Sequence, residues 1–177
     1  MTTYVKSGGS RRRIPSAYLD TNLVSGIRKQ DLGAEQQALR RILGAHKQGT
    51  LALVTSHVTH EEIQALPPGS VREAHEDIYA LLTDVPVVDE GLLMPRVVRA
   101  GSGPFGPVIV TDSDLASLRA ILPDENDARH LFQAMRNGVD YFVTADKRTI
   151  LSRATAIEQQ FAIRVRLPSK LVAELGL

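Results

Sequence analysis

The chain has no cysteine, which excludes disulfides and thiolate metal ligands and removes zinc-finger architectures from consideration. It has no apolar run approaching the ~20 residues that a membrane-spanning helix needs. The opening MTTYVKSGGS also carries no apolar signal-peptide core. A soluble, cytoplasmic protein with no membrane association is therefore the expectation. Charge of one sign is lacking too: 21 Lys plus Arg against 20 Asp plus Glu leave a net +1, so no global basic field advertises a nucleic-acid binder. A basic surface must be local, and Arg11, Arg12 and Arg13 after SGGS are its first source, although a solvated tail explains that run equally well.

What is present is ordinary globular material. At 177 residues, 43% hydrophobic, the chain is long enough for one domain with a sizeable core. Strand signals alternate with amphipathic helical signals, the pattern of a parallel sheet covered by helices. The fold class expected is α/β, a three-layer α/β/α sandwich around a mainly parallel sheet, with residues 1–13 as a flexible basic tail and 14–177 as a single domain. Strands are expected at Pro15 to Leu19, Thr50 to Thr55, Tyr141 to Thr144 and Phe161 to Leu167. Helices are expected between Leu23 and Gly44, through VTHEEIQAL up to Pro67 and Pro68, over Val71 to Leu82, Ser117 to Leu122 and Asp127 to Asn137, and from about Ser169. Gly138 is a natural helix terminator, and the glycine- and proline-rich residues 101–107 read as a mobile loop.

Four short clusters, AYLDTN, TSHVTHEE, NDARH and VTAD, carry the chemistry. Carboxylates brought together from distant parts of a chain repel one another, and a divalent cation relieves that repulsion. Asp20 ends a strand, a good ligand position in an open α/β sheet, or it caps the next helix. A helical wheel at ~100° per residue sets Glu62 near the centre of a face formed by Val58, Ile63, Ala65 and Leu66, whereas Glu61 points to solvent. A carboxylate there calls for a metal or for an ion pair with a residue such as arginine. Asp127 falls near the third position of a helix that Asp124 can cap, which suits the helix dipole and is compatible with a role at the sheet edge. Asp146 follows the strand YFVT by two residues, where T-x-D is also an ordinary turn. His130 reads as a packing or hydrogen-bonding residue, and His57 and His60 as solvated, with phosphate contact as the alternative.

The combination of LDTN, S-x-x-T-x-x-E (Ser56, Thr59, Glu62), the DA-containing helix from Asp127 to Ala134, NGVDYFVTAD and the closing FAIRVRLPSKLV resembles the PIN domain, the fold of VapC-type toxin ribonucleases, over nearly the whole chain. The resemblance implies an acidic pocket of Asp20, Glu62, Asp127 and Asp146 that binds Mg2+ or Mn2+, supported by Asn22 and Thr144. Asp20 would be the central ligand, Glu62 and Asp127 would hold metal directly or through water, and Asp146 would bind or orient an outer water. Oxygen donors favour these cations over zinc. The implied activity is hydrolysis of RNA phosphodiesters, with Arg11 to Arg13, Arg28, Lys29, Lys147 and Arg148 as candidate phosphate contacts. The implied partners are an RNA substrate, an antitoxin protein and a second copy of the chain in a homodimer. The rival readings are a non-catalytic PIN-like scaffold that binds RNA or protein, and a receiver-like phosphoacceptor. A receiver needs adjacent acids after its first strand, whereas the second acid here lies in a helix.

Overall fold

The computed structural model describes residues 4–7, 10–29, 32–85 and 112–177. An antiparallel hairpin, β1 (Tyr4–Ser7) and β2 (Ser10–Arg13), opens the chain where the sequence reads as a tail, and pairs Lys6 with Arg11. Five further strands, β3 (Ser16–Leu19), β4 (Ala52–Thr55), β5 (Thr83–Asp84), β6 (Tyr141–Val143) and β7 (Arg164–Arg166), form one sheet in the order β5-β4-β3-β6-β7. Every pairing in it is parallel. The chain steps outward from β3 through β4 to β5, then returns to lay β6 against the other side of β3. The strand order therefore reverses between β3 and β6, and open α/β sheets place their ligands in the crevice beyond the carboxyl ends of such a pair.

Helices α1 (Thr21–Lys29) and α2 (Glu35–Lys47) join β3 to β4, and α3 (His57–Gln64) and α4 (Ser70–Tyr79) lie between β4 and β5. Helices α5 (Asp112–Ile121) and α6 (Glu125–Arg136) precede β6, a short turn of 3-10 helix (Leu151–Arg153) and α7 (Ala154–Gln160) join β6 to β7, and α8 (Pro168–Leu175) closes the fold. Successive strand residues point to opposite faces, so the sheet feeds two cores. Ala17, Leu19, Tyr141 and Val143 pack with Leu23, Leu39, Ile42 and Leu171 on one side. Tyr18, Phe142 and Val165 pack with Leu118, Leu131, Phe132 and Ile157 on the other. That is the three-layer α/β/α sandwich expected from the alternation of signals. Tyr18 stacks on Phe142 at 5.3 Å between ring centroids, fixing β3 against β6 in the second core.

The segment from Leu23 to about Gly44, expected as one or two helices, is two, separated around Gly33, whose φ of 56° lies outside regular helix. One expected element changes shape. The last strand is shorter than Phe161 to Leu167, because the Phe161 N–H is taken by the Ile157 carbonyl and finishes α7. Neither α7 nor the two-residue β5 is evident from the sequence, and the loop expected at 101–107 lies outside the described residues. Helix α6 ends as its sequence suggests: Gly138 sits at φ 65°, its N–H bonds the Met135 carbonyl, and the Val139 N–H bonds Ala134. This termination delivers the chain into β6. An alanine there takes on left-handed strain of about 1 kcal/mol, so Gly138→Ala should lower the melting temperature by roughly 2–4 °C in a thermal unfolding scan.

Candidate functional site

Asp20 follows β3 directly and is 4% exposed. Its backbone is fully used: the N–H donates to the Val143 carbonyl of β6, and its own carbonyl accepts from Leu23 and Val24 as α1 begins. The side chain turns instead to the gap between β3 and β6. Oδ2 accepts from the Thr144 hydroxyl at 2.6 Å and from the Asn22 amide at 2.6 Å. Asn22 also donates to Thr144 Oγ1 at 2.9 Å and accepts from the Ala145 N–H at 3.2 Å, while the Asp146 N–H reaches Thr144 Oγ1 at 3.0 Å. Thr144 thus gives one hydrogen and receives two, the full capacity of a hydroxyl. The backbone carbonyl of Asp20 thus starts α1, while its carboxylate is directed to Asn22 and Thr144. Burial pushes the Asp20 carboxyl above its usual range, with Glu62 adding to the shift and the facing His130 and the Thr144 hydrogen bond opposing it.

Glu62 departs from the helical-wheel expectation. Helix α3 ends at Gln64, so Ala65 and Leu66 do not extend its apolar face, and Ala65 is exposed. Glu62 is 26% exposed and leans on α6, where its Oε2 lies 3.2 Å from His130 Nε2. Burial opposes ionisation of Glu62, but hydrogen bonds from His130, Thr21 and Asn126 outweigh it and hold the carboxyl below the usual range. The partner is a histidine rather than an arginine; Arg129 pairs with Glu61 instead, at 3.0 Å. His130 itself is buried and hydrogen-bonded to Tyr18 and Glu62, in keeping with its reading as a packing or hydrogen-bonding residue.

Asp124 caps α6, accepting from the N–H groups of Asn126 and Asp127. Asp127 is thereby fixed in the first turn, half-buried. Its carboxyl is pushed up to about 6, first by burial and then by the charges of Asp20, Asp124 and Asp146, against a hydrogen bond from Thr149. Asp146 behaves oppositely. Burial is overcome by the Thr149 hydroxyl at 2.6 Å and by the N–H groups of Thr149 and Arg148 at 2.9 and 2.8 Å, so its carboxyl is held low. The T-x-D turn is real, and Asp146 is ionised within it. Thr149 is a member of the site that the sequence reading missed, although D-x-x-T after a strand is itself the signature of a side-chain-capped turn.

The four acids come from the end of β3, α3, α6 and the turn after β6; the charge of Asp20 acts with that of Glu62 and of Asp127, and the charge of Asp127 with that of Asp146. Among the described residues no three His, Asp or Glu side chains stand close enough to hold a metal ion as they are placed. The donor chemistry nevertheless fits Mg2+ or Mn2+, which keep several waters and take only one or two carboxylates directly. Two of these carboxyls, Asp20 and Asp127, are penalised for ionising, and a cation would remove that penalty. Lys147 and Arg148 are exposed on the turn carrying Asp146, at the rim of the site. Arg13 is engaged elsewhere, 3.0 Å from Asp140. The side chains of Arg11, Arg12, Arg28 and Lys29 lie outside the described ones.

No protein-family model matches the chain, and no curated protein matches it. Among solved structures it is similar to a chain in the crystal structure of VapBC2 from Rickettsia felis bound to a DNA fragment from their promoter. The TM-score is 0.53 at 12% identity, over 86% of this chain and 98% of that one. The likeness is one of fold. Among the described residues no helix is long and apolar enough to cross a membrane.

The raised carboxyl of Asp127 sets a pH dependence for the metal-free protein. The unfolded chain loses that proton near 3.8 and the folded one near 6, so stability falls as pH rises through this window. Two pH units are worth about 3 kcal/mol, which partial hydration of the side chain reduces to roughly 1–2 kcal/mol. Asp127→Asn should therefore be more stable than the wild type by about that amount above pH 6.5 in EDTA, and no more stable near pH 3.5. Urea unfolding at both pH values measures it.

Proposed function

We propose that the protein is a metal-dependent ribonuclease that hydrolyses RNA phosphodiester bonds with Asp20, Glu62, Asp127 and Asp146 as its acidic residues. What supports this reading is the coupling of Asp20 to Glu62 and Asp127, and of Asp127 to Asp146, around the carboxyl ends of β3 and β6, with Asp20 and Asp127 both biased towards protonation. Carboxyls held at such an energetic cost beside other charges are candidates for a functional site. Asp20, Glu62 and Asp127 would hold Mg2+ or Mn2+, directly or through water. When bound, such a cation supplies Lewis acidity to the phosphodiester and makes a water acidic enough to attack at neutral pH.

The chain's own residues supply the rest. Asn22 and Thr144 hold the Asp20 carboxylate in one orientation, so little reorganisation is needed when charge develops nearby. Asp146, kept ionised by its turn, adds a fixed negative charge that can orient water. Lys147 and Arg148 on the same turn are placed to contact the phosphates flanking the scissile bond. The net reaction adds water across one P–O bond, forming a phosphate ester and a free hydroxyl.

The fold-level likeness to a VapBC2 chain supports a further specification, namely that the protein is the toxin of a toxin–antitoxin pair, held by an antitoxin protein and assembling as a homodimer. The test is cleavage of a mixed single-stranded RNA panel with Mg2+ or Mn2+, alongside EDTA and Asp20→Asn controls. Cleavage should require the metal and fall at least about 100-fold in Asp20→Asn, the loss that several kcal/mol of charge stabilisation represents. Binding of RNA without cleavage under every metal condition would leave the non-catalytic scaffold.

A further inference from the structure

The geometry points to His130 as the positioning residue for Glu62, acting at the end of a buried hydrogen-bond chain that runs Ser56, Tyr18, His130, Glu62. This inference rests on Glu62 being one of the acids of the proposed site. Its members come from β3, α3 and α6, and each link is short. Ser56 caps α3, accepting the Val58 N–H, and its Oγ lies 2.6 Å from the Tyr18 hydroxyl. The Tyr18 hydroxyl lies 2.7 Å from His130 Nδ1. On the far side of the ring, Nε2 is 3.2 Å from Glu62 Oε2 and 3.3 Å from Thr21 Oγ1.

The order of donors follows from what each group can give. Burial keeps Tyr18 a phenol, with one hydrogen to offer. An ionised Glu62 only accepts, so the hydrogen between it and His130 belongs to Nε2. Whether Tyr18 passes its hydrogen to Nδ1 or accepts one from it, Nε2–H remains aimed at the carboxylate. The ring is buried against a fixed neighbour. Tyr18 meets it edge-on at 5.8 Å between centroids, is itself stacked on Phe142, and is completely buried along with its partner Ser56.

Tyr18 serves only Nδ1, and a buried imidazole needs a partner at each nitrogen. Here the second nitrogen is spent on a carboxylate that remains partly open to solvent. A hydrogen bond of this kind fixes the rotamer of a ligating carboxylate and favours its charged form, and losing such a support typically weakens metal binding 10–100-fold. Glu62 sits on a helix opposite the Asp20 strand edge, so its orientation decides whether the two acids face a common point.

Two measurements test this. In 15N NMR of the metal-free protein, His130 should carry its hydrogen on Nε2, and that signal should move in Glu62→Gln. In calorimetric titration with Mn2+, His130→Leu should bind about 10–100-fold more weakly than the wild type. His130→Gln, which can still offer an N–H to Glu62, should recover most of the affinity, with thermal melts confirming that each variant is folded. Hydrogen on Nδ1 alone, or Mn2+ affinity unchanged in folded His130→Leu, overturns the proposal. If the wild type binds no Mn2+, the metal reading fails separately, and the NMR result decides the positioning role: a signal that responds to Glu62→Gln upholds it, and one that does not overturns it.

Discussion

The hydrogen-bonded ring of Asp20, Asn22 and Thr144 is the interaction on which the rest of the site depends. It joins the end of β3, the start of α1 and the end of β6. A nearly fully buried carboxylate is expensive unless it is hydrogen-bonded, and the ring gives its Oδ2 two donors, Asn22 at the start of α1 and Thr144 at the end of β6. The same contacts extend outward, because Thr144 also receives the Asp146 N–H, which starts the turn that holds Asp146 ionised. Two acids of opposite character, one pushed towards protonation and one kept charged, are thus consequences of a single local geometry. The two-sided core beneath the ring makes this geometry stiff, since Leu19 and Val143 face one helical layer while Tyr18 and Phe142 face the other.

Much of this was legible in the chain itself. Asp20, Asn22, Thr144 and Asp146 stand beside apolar strands, and strand ends are local features that short patterns reveal. Asp124 and Asp127 were readable for the same reason, as the cap and first turn of a strongly amphipathic helix. The partner of Glu62 was not readable, because His130 lies 68 residues further on and meets it only through the packing of α3 against α6. The wheel also overran the true end of α3 by two residues, which drew Ala65 and Leu66 into a face they do not share. Helix α7 escaped notice because its seven residues bury only Ile157, too few apolar positions to register a period. Strand β5 has just two residues, and only its pairing with Val54 and Thr55 defines it.

The four acids are therefore not equivalent. Asp20 is built into the scaffold, Glu62 is held from behind by a histidine, Asp127 is raised to about 6 by burial and its neighbours, and Asp146 is committed to a turn. This division suits a cation that is held partly through water and completed by the phosphates of a substrate, better than one enclosed in a rigid cage. It also explains how the fold tolerates the cluster. Glu62 and Asp146 are stabilised as anions by hydrogen bonds, and the cost of charge falls on Asp20 and Asp127.

The central claim is that this edge of the sheet is a divalent-cation site. Anomalous diffraction from crystals of the protein soaked in Mn2+ tests it most directly. The account predicts a Mn2+ peak beyond the carboxyl ends of β3 and β6, among Asp20, Glu62, Asp127 and Asp146, that vanishes in Asp20→Asn crystals. No peak there in wild-type crystals, or a peak that survives the substitution, would contradict it.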